Sequence, residues 1–193
     1  MKTLKTYLIT THKSVWDGHI HMFDHNGIID DTLINTKYKC VCFPDIAFRY
    51  LDEYKDGKIL AYYDEFIENH YDPSRHILLS TGISADEIIT IYKKYPNIIK
   101  GFGEFKCYDK WKYGKLPYGN LEWIRPVLEF NRTLKLPVYI HFNMDSDSHR
   151  DEFERLLIDY NDTPIVLCHC GMVDDDVVNE DIHMFVRQLM GMY

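Results

Sequence analysis

His19, His21, His141 and His169, together with Glu104 and Lys106, are the residues of this chain whose types and spacing could hold a divalent metal. Asp17, His19 and His21 alternate along the apolar run SVWDGHIHM (14–22), so a strand there sends them to one face and Ile20 and Met22 to the other. Two imidazoles at i and i+2 stand side by side as a divalent ion needs, although two hydrogen-bonded histidines at a strand end would share that spacing. The runs LPVYIH and TPIVLCH end on His141 and His169. In parallel α/β folds the C-terminal strand ends form the functional face, so three strands bring histidine to one rim. Neutral imidazole is the commonest protein metal ligand, and four rim histidines are hard to account for as packed core residues. Glu104 and Lys106 share a face of IIKGFGEFK. The carboxylate could bridge two ions; the amine could do so only after carbamylation. A plain Glu–Lys neighbour pair at a solvated strand end fits those two residues as well. Gly101 and Gly103 leave the other side of that strand open for close helix packing.

The elements that must position these groups follow from the hydrophobic period. Short β-branched runs lie near 14–22, 38–43, 76–82, 97–106, 136–142 and 163–170. Between them, helical periodicity predicts helices over 58–70, 84–95, 121–135, 149–160 and 177–190. Ser84 and Glu87 have capping-box spacing at the start of the second helix. Strand followed by helix, repeated, predicts an α/β protein with a parallel sheet. About six units are present, whereas a complete (β/α)8 barrel takes eight units and about 250 residues. Pattern alone slightly favours an open doubly wound sheet over three-quarters of a barrel.

Composition narrows the function classes. The 193 residues are 46% apolar and 27% charged, enough for one domain with a buried core. No run is long enough for a transmembrane helix, and MKTLKTYLITTHK lacks the h-region of a signal peptide. A net charge of −8 with no Lys/Arg cluster argues against a nucleic-acid or anionic membrane partner. Cys40, Cys42, Cys107, Cys168 and Cys170 sit mainly in apolar runs and read as reduced thiols of a cytoplasmic protein. Alternation sets Cys168 and Cys170 opposite His169, as buried packing.

Taken in order, DGHIH, GFGEFK, LPVYIH and IVLCHCG resemble the motifs of the metal-dependent amidohydrolase superfamily, closest to its amidohydrolase-related and TatD-like hydrolases. The resemblance covers residues 14–172 and implies the (β/α)8 barrel of the metallo-dependent hydrolase fold, against the open sheet. It implies that His19 and His21 bind the more buried metal, that Glu104 bridges, and that His141 and His169 bind the second, with Lys106 the alternative bridge. Glu104 and His169 are then the catalytic candidates. The implied cofactor is one or two divalent ions, zinc for a His-rich set with one carboxylate, manganese or magnesium with more oxygen ligands. The implied activity is hydrolysis of an amide, ester, lactone or phosphoester by a metal-activated water. The family places an Asp at the end of strand eight as proton acceptor. Residues 1–193 read as a single hydrolase domain, C-terminally incomplete after the sixth unit, with Asp174, Asp175 and Asp176 an acidic helix start rather than that Asp.

Weaker signals surround this set. The loop 107–120 is rich in aromatics and lysine; Trp111 in it, with Asp17, Lys106 and Asn143, is a candidate for substrate contact or support of the ligands. After the fifth strand, Asp145 and Asp147 lack the glycine of a calcium loop, and Asp147 or Ser148 is expected to cap the next helix. Two other functions stay open: a mononuclear decarboxylase of the same superfamily, which has no need of Glu104, and an inactive metal-binding remnant. The expected partners are a small-molecule substrate and, if barrel edges are exposed, a second copy of the chain.

Overall fold

The strand and helix periods described above become an alternating α/β chain. The computed structural model describes residues 16–23, 39–46, 58–82, 84–107, 121–142, 144 and 146–168, giving the backbone for 16–23, 39–46 and Lys106. Its elements are β1 (Trp16–Phe23), β2 (Lys39–Ile46), α1 (Lys58–Asn69), β3 (His76–Ser80), α2 (Ala85–Lys94), β4 (Ile99–Lys106), α3 (Arg125–Asn131), β5 (Val138–His141), α4 (Asp147–Asp159) and β6 (Ile165–Leu167). The expected helix over 177–190, the loop 108–120 with Trp111, and Asn143, His169 and Cys170 lie outside the described residues. Among those residues no helix is long and apolar enough to cross a membrane. The chain divides into two compact units, Met1–Lys100 and Gly101–Tyr193.

In the first unit β1, β2 and β3 pair in parallel, with Cys40 opposite His76 and Cys42 opposite Leu78. Ile59, Tyr63 and Phe66 recur at the spacing of one helix face. They close with Leu78, Ile91 and Ile99 into a fully buried cluster. Ser84 caps α2 as its spacing predicts, its side chain accepting from the Glu87 amide at 3.3 Å. The Tyr63 hydroxyl lies inside this core, donating to the Leu79 carbonyl and accepting from the Thr81 amide at 2.8 Å. A buried hydroxyl that serves two main-chain groups fixes where α1 sits on β3. Tyr63→Phe removes both bonds while keeping the ring, and chemical denaturation is expected to show a loss of about 1–3 kcal/mol. No loss would mean that the apolar contacts alone set that position.

In the second unit β4, β5 and β6 are likewise parallel, with Val138 opposite Ile165 and Ile140 opposite Leu167. Phe102, Val127, Leu128, Val138, Ile140, Phe153 and Leu156 are buried there. Two expected helix bounds need correction. The stretch read as one helix over 121–135 opens with a tight turn at Glu122–Ile124, and α3 ends at Asn131. The Asn131 side chain stops it by bonding the Leu136 carbonyl (2.8 Å) and amide (3.1 Å), and Lys135 turns left-handed at φ 55°. The helix read over 149–160 starts at Asp147, capped by Ser146 rather than by Asp147 or Ser148. The Ser146 hydroxyl accepts from the His149 amide at 3.3 Å, leaving Asp147 in the first turn, where the helix dipole favours it.

Gly103 also departs from expectation. The pattern reads it as room for a helix, but a Cβ there would run into the main-chain oxygen of Tyr139 on the neighbouring strand β5. Its φ of +111° lies where side chains are seldom tolerated. The close approach is therefore strand to strand.

Candidate functional site

The site is built where β4 and β5 end. Pairing slips along β4: Phe102 stands opposite Val138 but Phe105 opposite Ile140, so three steps of β4 cover two of β5. Such an extra residue re-aims the side chains beside it. Here it falls at Gly103 and Glu104, and regular pairing resumes with Lys106 opposite His141. The outcome is a direct contact between residues far apart in sequence. The Nδ1 of His141 lies 2.7 Å from Oε1 of Glu104, and both side chains are buried, at 8% and 1% exposure.

That geometry sets the chemistry of both groups. With Glu104 ionised, its carboxylate only accepts, and His141 Nδ1–H is the donor. A neutral imidazole carries one proton, so with Nδ1 protonated the lone pair lies on Nε2, the form that coordinates metals. A carboxylate behind the second nitrogen is the usual support of a metal-binding histidine, fixing ring orientation and raising basicity. The residues present thus fit a divalent cation: His141 Nε2 as a ligand, Glu104 holding it in place or sharing in the binding through its carboxylate.

The residues next to the pair in sequence are apolar and buried. Phe105 packs edge-on against Trp123 at 5.5 Å, and Phe142 lies between His149 (5.5 Å) and Phe153 (5.9 Å). Cys107, one residue past β4, is fully buried. Burial pushes its thiol well up, and the Glu152 and Glu104 carboxylates push the same way, against the opposing influence of the Trp123 indole. A thiol held protonated is packing, not a nucleophile. Cys168 is buried as well, as alternation in the sequence predicts. Trp123 and Cys107 were not read as neighbours of the site; their apolar character signals only core.

The other expected ligands are placed less fully. His19 and His21 lie on β1 in the first unit, and Lys106 shares the register row of His141. Asp17 lies on β1 as well, where the pairing slips. It stands opposite Cys40 and Ile20 opposite Cys42, so three steps of β1 cover two of β2 there. Among the described residues no group of three or more His, Cys, Asp or Glu side chains gathers as a metal site. Of the expected ligands, Glu104 and His141 are the two whose side chains are described. Comparison of the chain with protein-family models, curated proteins and solved structures gave no match.

Proposed function

We propose that this chain is a metal-dependent hydrolase of amidohydrolase type, acting on a small molecule through an amide, ester, lactone or phosphoester bond. The observation that carries the reading is the buried Glu104–His141 pair at 2.7 Å at the ends of adjacent parallel strands. Its motifs supply the rest: His19, His21 and His169 as further ligands, with Lys106, Asn143 and Trp111 near the substrate. The (β/α)8 barrel and a cytoplasmic location belong to the same proposal. A bound divalent ion, zinc first, supplies Lewis acidity, lowering the pKa of water and polarising the scissile carbonyl or phosphoryl oxygen. Glu104 holds the Nδ1 proton of His141 and so leaves Nε2 as the ligand atom. Burial of both side chains strengthens that hydrogen bond. Glu104 and His169 are the chain's proposed catalytic residues.

One feature favours a mononuclear site. Glu104 has one oxygen on an imidazole, the place of a supporting carboxylate rather than of a bridge. The test is activity on p-nitrophenyl acetate, p-nitrophenyl phosphate, a γ-lactone and an aromatic carboxylic acid, before and after chelation and after return of Zn2+. The hydrolase predicts cleavage that chelation removes, Zn2+ restores and His141→Ala abolishes. Release of CO2 alone would select the decarboxylase. Turnover indifferent to chelation, or none with any metal, would contradict the enzyme reading.

A further inference from the structure

His76 opens β3 in the first unit and is not among the residues of the proposed site. It is 3% exposed. Its ring packs 5.3 Å from Phe66 of α1 and 6.2 Å from Tyr71 of the following turn. Two bonds tie it to the same residue in opposite senses. The His76 amide donates to the Asp72 carbonyl at 2.8 Å, and the Asp72 amide donates back to His76 Nδ1 at 3.0 Å. Asp72 holds the rest of the turn, its side chain accepting from the Ser74 amide at 2.8 Å and hydroxyl at 2.6 Å.

A ring nitrogen that accepts cannot carry a proton, so this closure requires neutral His76 with its proton on Nε2. Nε2 is buried and meets no hydrogen-bond partner among the described residues. Protonation would therefore cost the Asp72 amide its acceptor and place a charge in an apolar pocket. We propose that His76 is a pH-sensitive latch of the turn between α1 and β3, closed by the neutral ring and opened by its protonation.

The charged and titratable surroundings leave the latch acting in the acid range. The turn presents Asp72, Arg75 and Tyr71, α1 ends near His70, and on β2 Cys40 stands opposite His76 in register, with Asp17 opposite Cys40 on β1. Burial holds the His76 ring below its ordinary value; Arg75 and His70 push the same way and Asp72 opposes them. The folded state thus binds fewer protons than the unfolded chain. The stability from His76 is complete above the unfolded value of about 6.5 and is lost as pH falls through the lower folded value.

His76→Asn tests this, because its side-chain oxygen can accept from the Asp72 amide and does not titrate. Between pH 7.5 and 5.5 the full chain is expected to lose about 5 °C more in Tm than His76→Asn does. His70→Asn is expected to keep the full loss. Equal losses in wild type and His76→Asn, or a loss abolished by His70→Asn, would overturn the latch. A second readout needs no variant. By NMR, the His76 ring and the Asp72 amide should titrate with one midpoint below 6.5, the usual histidine value. A ring that titrates while the Asp72 amide stays unmoved would also overturn it.

Discussion

Glu104→Gln is expected to weaken Zn2+ binding about 10–100-fold, the usual cost of removing a carboxylate that supports a ligating histidine. The amide preserves the size of the side chain and can still accept from His141 Nδ1, but without the charge that raises the basicity of Nε2. Equilibrium dialysis of the full chain separates two roles for the carboxylate. If Glu104 supports a single ion, the stoichiometry at saturating Zn2+ stays the same and the affinity falls. If it bridges two ions, the stoichiometry falls from about two to about one. Unchanged affinity and stoichiometry would show that Glu104 has no part in a metal site.

Gly103→Ala should be the most damaging single methyl among the described glycines. It requires an alanine at φ +111° and drives its Cβ into the Tyr139 main-chain oxygen, which cannot move without breaking β4 from β5. The two effects together are expected to cost about 3 kcal/mol or more, lowering Tm by about 10 °C. Because Glu104 follows directly, the surviving folded fraction should also bind Zn2+ more weakly. A Tm within a degree or two of the wild type would mean that the strands tolerate a different spacing at this point.

Much of the fold was legible because it rests on period. Lys58–Asn69 falls within one residue of the helix predicted over 58–70, since Ile59, Tyr63 and Phe66 recur on one face. Ser84 was readable as a cap because its side chain acts on an amide three residues away. What escaped was set by partners distant in sequence. The helical pattern continues beyond Asn131, yet the asparagine side chain captures Leu136 and stops the helix there. The slips at Asp17–Ile20 and Phe102–Phe105 depend on the neighbouring strand, and no spacing within one strand reveals them. The site divides the same way. Glu104 and His141 were legible as chemical types at strand ends. Their contact spans 37 residues of chain and is made by the extra residue in β4, which only the pairing discloses.

The central claim is that the Glu104–His141 bond prepares Nε2 of His141 for a metal, and nitrogen NMR of that one ring tests it most directly. Long-range proton–nitrogen correlations on the full chain are expected to show His141 protonated at Nδ1 and bare at Nε2 without metal. Adding Zn2+ should move the Nε2 resonance and leave the Nδ1 proton in place. A ring protonated at Nε2, or an Nε2 resonance that saturating Zn2+ leaves unmoved, would contradict the account.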